Sequence, residues 1–94
     1  MNIVWSHQAL DDLERLRAFI AKDSPKGARR SSLAIVALVE TLPDNPHIGR
    51  PGRVPGTREL VVPNTPFVVP YRVQNEELQV LRVYHGARRW PDSL

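Results

Sequence analysis

Between Pro43 and Gly56 the chain reads PDNPHIGRPGRVPG, and its four prolines and three glycines split the sequence into two halves with different folding rules. Proline removes a backbone donor and fixes φ, while glycine loosens the chain, so this stretch reads as a loop with no room for a regular element. Before the loop, apolar residues recur at helical spacing; after it, they recur with a period of two.

The first half opens with a β-favouring run, NIVW (2–5). Ser6 fits a helix N-cap, with Trp5 and Leu10 at the two positions of a hydrophobic staple. Leu10, Leu13, Leu16 or Arg17, and Ile20 then recur at helical spacing, and Asp11, Asp12 and Glu14 fill the first turns, where the helix dipole favours acids. This helix is expected to stop near Lys22. Ser24 as N-cap and Pro25 at the first helical position start a second one, with Ala28, Ser32, Ile35 or Val36, Val39 and Leu42 as its apolar stripe. So short a link folds the two helices back on each other as an antiparallel hairpin.

In the second half RELVV (58–62), FVVPYRV (67–73) and LQVLRVY (78–84) read as three strands joined through PNTP and QNEE, links short enough to make neighbours antiparallel. Pro70 cannot donate to a ladder, which predicts a bulge or a missing bond at that point. The expected order is β-α-α-β-β-β, an α+β domain over residues 1–94 with a helical hairpin on one face of an antiparallel sheet. With Asn75-Glu76 as the hairpin turn, Val69, Tyr71, Val73, Leu78 and Val80 share one face, and Val68, Pro70, Leu81 and Val83 share the other. Two helices cover only one face. The surplus apolar face, edged by Arg72, Arg82 and His85, is expected either to receive a partner or to lie under loop 43–56.

Composition narrows the classes of function. The chain has no cysteine, which excludes disulfides and cysteine-ligated zinc or iron–sulfur sites. His7, His47 and His85 lack a metal-ligand spacing, and no glycine-rich turn opens a helix, so neither a metal nor a nucleotide cofactor is expected. No apolar run is long enough to span a bilayer and the N-terminus does not read as a leader, which predicts a cytoplasmic protein without membrane contact. The net charge is +3, and 11 of the 13 basic residues are arginine, the side chain suited to phosphate and carboxylate. Through His47 there are six basic and six acidic residues; beyond it there are seven and four. The acid pairs Asp11-Asp12 and Glu76-Glu77 suit a helix start and a hairpin turn better than catalysis.

The segments GTREL, VVPNTPFVVPYRV and LRVYHGARRWP, behind a strand and helical hairpin with W…A..DL, resemble the RelE/ParE superfamily of bacterial toxins over nearly the whole chain. That resemblance implies a toxin neutralised by a cognate ParD-like antitoxin in a hetero-oligomer. The antitoxin would order an extended or helical segment on the apolar surface between helices and sheet. RelE-like members cut mRNA on the ribosome; ParE-like members inhibit DNA gyrase without catalysis.

Metal-free RNA cleavage needs a base, an acid and fixed cations for the charge that develops at phosphorus. Aligned on the nuclease relatives, Val68 stands where a strand arginine would be and Gly86 where an arginine or tyrosine would be, while His85 is present. The resemblance therefore favours the gyrase-inhibiting branch. The ribosome-dependent endonuclease, using His85 with Arg58 and Arg82, is the alternative, and a toxin kept only as an interaction partner is a third. Residues expected to meet the target are Arg82, His85, Arg88, Arg89 and Trp90, since arginine and tryptophan dominate many interfaces; Leu13, Leu16, Arg58 and Arg72 are expected to meet the antitoxin.

Overall fold

The computed structural model describes residues 1–87. Strand β1 (Asn2–Trp5) leads into α1 (His7–Ala21) and α2 (Pro25–Glu40). These are followed by β2 (Arg50–Pro51), β3 (Arg58–Val61), β4 (Phe67–Gln74), β5 (Glu77–Val80) and β6 (Tyr84–His85). The architecture is the expected α+β one, two helices against one face of a sheet ordered β1-β5-β4-β3-β2, with β6 also on β4. Every pairing is antiparallel except that of β1 with β5, which is parallel.

Both helix starts are capped as their sequences require. Ser6 Oγ accepts from Ala9 N–H at 3.0 Å and Ser24 Oγ from Gly27 N–H at 2.9 Å, with Pro25 at the first position of α2. The apolar stripe of α1 is rotated from the expected one. Ala9 is fully buried and Leu13, Leu16 and Ile20 pack on the core, but Leu10 is 49% exposed. From α2, Ile35 and Val39, with Leu42 just beyond, share the core with Leu60, Phe67, Val69, Tyr71, Leu78 and Val80 of the sheet and with Val62 just past β3.

The hairpin between β4 and β5 turns at Asn75 and Glu76, at φ 55° and 60°, the left-handed pair that a two-residue turn demands. Asparagine tolerates that region; glutamate does so at a cost. Glu76→Gly is expected to raise stability by about 0.5–1 kcal/mol, net of the entropy glycine adds to the unfolded chain, and a urea midpoint shift measures it.

Two expectations about the sheet need correction. The third long strand does not run unbroken from 78 to 84. Val80 faces Tyr71 and Tyr84 faces Val68, so four steps on one strand oppose three on the other. That extra residue is the bulge predicted from Pro70, placed on the partner strand. Leu81 N–H donates to the Pro70 carbonyl at 2.9 Å, but Pro70 has no N–H to return. The Leu81 carbonyl instead accepts from Ser6 Oγ at 2.7 Å, the same oxygen that caps α1. Past the bulge the face alternation is reversed, and Val83 joins the core under the helices rather than the opposite face.

The second correction concerns loop 43–56, which does contain a regular element, β2, paired to β3 through Arg50↔Glu59 and Pro51↔Arg58. Tyr71, fully buried, fixes the approach to it: its hydroxyl donates to the Pro46 carbonyl at 2.8 Å and accepts from Gly49 N–H at 3.0 Å. Beyond β2 the chain crosses the far face. Glu59, which faces Pro70 across the ladder and is only 2% exposed, binds Arg50 Nε at 3.1 Å and Arg53 N–H at 2.9 Å. Of the two outcomes expected for the surplus apolar face, this end of it lies under the chain's own loop.

Candidate functional site

The site begins where α1 takes over from β1 beside the bulge. Ser6 N–H reaches the Val80 carbonyl at 2.9 Å, and two turns along the helix Asp12 closes the gap. One Asp12 oxygen accepts from Arg82 Nε at 2.7 Å and from Val83 N–H at 3.0 Å; the other accepts from an Arg82 terminal nitrogen at 3.0 Å. Asp12 is 11% and Arg82 30% exposed. The guanidinium also lies 4.7 Å from the Tyr84 ring centre. Hydrogen bonding to the Asp12 carboxylate raises the Arg82 pKa above its ordinary value, against the opposing effect of burial. Burial raises the Tyr84 phenol, and the neighbouring guanidinium partly offsets that. The phenol's contribution to stability is therefore complete below pH 10 and is lost as pH rises through the raised value.

Past the clamp, His85 is exposed at the end of the sheet. Its ring meets Phe67 edge-on, centroids 6.0 Å apart, and its Nδ1 accepts from Ala87 N–H at 3.2 Å. In the neutral ring that bond leaves the proton on Nε2. Gly86 N–H donates to the Pro66 carbonyl at 2.7 Å, and a β-carbon at 86 would stand 3.3 Å from that same oxygen. Arg88, Arg89 and Trp90 lie outside the described residues.

The candidate catalytic trio does not converge. Arg58 faces Tyr71 and His85 faces Phe67, four residues apart on β4, or about 13 Å. Arg58 spends its guanidinium on the carbonyls of His47, at 3.1 Å, and Gly49, at 2.8 Å. Arg82 is held by Asp12. Val68, at 5% exposure, is a buried position facing Tyr84. Of the residues expected to meet an antitoxin, Leu13 and Leu16 are half-buried against the core and Arg58 is tied to the loop. Arg72 is exposed; its Nε donates to Gln79 Oε1 at 2.6 Å, and it borders an open cleft with Val54, Thr57 and Leu81.

Sequence reasoning missed Asp12 and Glu59, the two carboxylates that organise this region. Asp12 could have been found: it lies three residues after Ala9 and four before Leu16, on the inward flank of the helix. Nothing in RELV marks Glu59 for burial, because the segment that covers it arrives from the loop.

The family model described as the ParE toxin of the type II toxin–antitoxin system parDE matches residues 3–90. Y4kP of Sinorhizobium fredii is 39% identical over 92 residues, covering 98% of this chain and 95% of that protein. Toxin RelE2 of Caulobacter vibrioides is 33% identical over 86 residues, covering 92% of this chain and 96% of its own length. A solved chain from the chromosomal ParDE toxin–antitoxin system of P. aeruginosa superimposes with a TM-score of 0.81 at 33% identity, over 90% of this chain and 95% of that one.

Proposed function

This chain belongs to the ParE toxin family of type II toxin–antitoxin systems, and we propose that it acts in the cytoplasm by binding DNA gyrase and is silenced by a ParD-like antitoxin in a hetero-oligomer. The observation that carries this reading is the dispersal of the nuclease candidates. Arg58 is about 13 Å along the sheet from His85, Arg82 is neutralised by Asp12, and position 68 is buried valine. A developing phosphorane needs a fixed cation, and of the two candidates Arg58 lies down the sheet while Arg82 is already committed to a carboxylate. Binding needs no such convergence. His85 and residues 88–90 form the proposed target edge, with Arg82 supporting it from behind through the clamp. Arg72 and its cleft are the proposed polar margin for the antitoxin, whose acidic side chains would set the register.

A second reading survives on one observation: the imidazole of His85 is exposed at the end of the sheet, where a ribosome-dependent endonuclease would need its acid. The two are separated by paired assays. Purified gyrase is expected to lose supercoiling activity at stoichiometric toxin, while primer extension on transcripts from toxin-expressing cells shows no new ends. Unimpaired supercoiling, together with in-codon cuts abolished by His85→Ala, would replace the first reading with the second.

A further inference from the structure

We propose that the elbow of the helical hairpin, residues 15–30, is a binding surface for the phosphate backbone of duplex DNA. The structure divides the cations into two populations. In the sheet half, Arg50 and Arg53 serve Glu59, Arg58 binds the His47 and Gly49 carbonyls, Arg72 binds Gln79, and Arg82 binds Asp12. At the elbow, Arg15, Arg17, Lys22, Lys26, Arg29 and Arg30 are all exposed, and none has an ion pair or side-chain hydrogen bond with a described residue. Lys22 has only a distant contact with the Phe19 ring, 6.0 Å from its centre.

The charge is correspondingly segregated. Residues 15–30 carry six cations against one acid, Asp23, a net of +5, whereas the whole chain is +3, so everything outside the elbow sums to −2. Beyond His47 the chain is still +3, and the acids of residues 1–14 and 31–47, which carry no cations, bring the remainder to −2. Lys26 sits in the first turn of α2, followed by Arg29 and Arg30, and no acid stands in that turn. Cations at a helix N-terminus oppose the helix dipole and one another, so this arrangement weakens the isolated protein and is relieved by an anion.

The anion is better matched by a phosphate backbone than by an acidic protein. A protein interface of any strength is built around buried apolar and aromatic anchors, and within the elbow Phe19 is the large exposed apolar side chain, with Leu33 one turn beyond Arg29. A duplex needs none. It presents one charge per about 1.7 Å of axis, dense enough for Lys26, Arg29 and Arg30, three and four residues apart at the start of α2, to meet several phosphates together. Four of the six elbow cations are arginines, whose forked donors fit phosphate oxygens. Contacts of this kind position a protein without reading sequence. The surface is independent of which target the toxin has.

Fluorescence anisotropy with a labelled duplex of about 20 base pairs and arbitrary sequence, titrated with the purified full-length chain at several salt concentrations, tests this. Dissociation constants on the order of micromolar are expected at low salt, with log K falling steeply against log salt. Lys26→Gln/Arg29→Gln/Arg30→Gln, checked by circular dichroism for intact helices, is expected to weaken binding at least about tenfold and to flatten the slope by about 3. Arg50→Gln/Arg72→Gln is expected to leave the slope unchanged. Absence of binding at low salt, or binding by the triple variant equal to wild type, would overturn the proposal. Displacement of the duplex by polyglutamate at equal or lower charge concentration would overturn it in favour of an acidic polypeptide.

Discussion

Asp12→Ala is expected to lower the free energy of unfolding by about 3 kcal/mol, a loss that urea denaturation and a fall in melting temperature of roughly 10–20 °C would both register. The change removes both acceptors of the Arg82 guanidinium and the acceptor of Val83 N–H. Breaking a fully buried pair costs more, because the abandoned charge has no water; here Arg82 is 30% exposed and recovers part of its hydration. The Val83 amide recovers less, since Val83 is buried and its strand has already left the ladder. Asp12→Asn retains an oxygen for that amide and is expected to fall between the two. Asp11→Ala, next door on the exposed side of the helix, is expected to cost under about 0.5 kcal/mol. Equal effects at positions 11 and 12 would mean that negative charge on this part of the helix, not the clamp, is what matters. The consequence reaches the proposed target edge, because Asp12 holds the chain just ahead of Tyr84 and His85.

The same region shows what one sequence can and cannot disclose. Local chemistry was readable: Ser6 and Ser24 cap where a cap was required, Pro25 starts α2, and Asn75-Glu76 turns the hairpin. Pro70 even announced its bulge. What periodicity could not show is which strand would absorb the extra residue, and that choice reverses every side chain beyond it. Uniform alternation therefore puts Val83 on the wrong face and makes the surplus apolar face larger than it is. Residue 80 to residue 84 looks like one uninterrupted strand in composition; only the pairing reveals the slip.

The arginines were legible as a count but not as a distribution. Counting by halves places the basic excess after His47, yet Arg50 and Arg53 are tied to Glu59, Arg58 to the carbonyls of the preceding loop, and Arg82 to Asp12 seventy residues away. A guanidinium engaged in this way braces the fold and has fewer donors left for a ligand. Candidate status for Arg58 and Arg82 rested on residue type and order, and neither carries information about where the other donor and acceptor groups fall. His85 is exposed where β6 ends, just before Gly86.

Gly49→Ala is expected to cost about 3 kcal/mol, and combining it with Tyr71→Phe is expected to cost distinctly less than the sum of the two. A β-carbon at 49 would stand 2.7 Å from Cε1 and from the hydroxyl of Tyr71, and 3.0 Å from the backbone oxygen of Glu59. The tyrosine is fully buried and the Glu59 backbone is fixed in β3, so the loop has to move. Moving it breaks the bond from Gly49 N–H to the tyrosine hydroxyl and loosens Arg58 from the Gly49 carbonyl. Tyr71→Phe alone removes the hydroxyl and strands the Gly49 amide and the Pro46 carbonyl, at about 1–3 kcal/mol. The two changes share one hydrogen bond and one close contact, so in the double variant that bond is lost once and part of the clash is gone. Additive unfolding energies would show that the hydroxyl does not hold the loop. Because residue 49 leads directly into β2 and the segment over Glu59, the single variant is also expected to expose that carboxylate, which faster amide exchange at Arg53 would report.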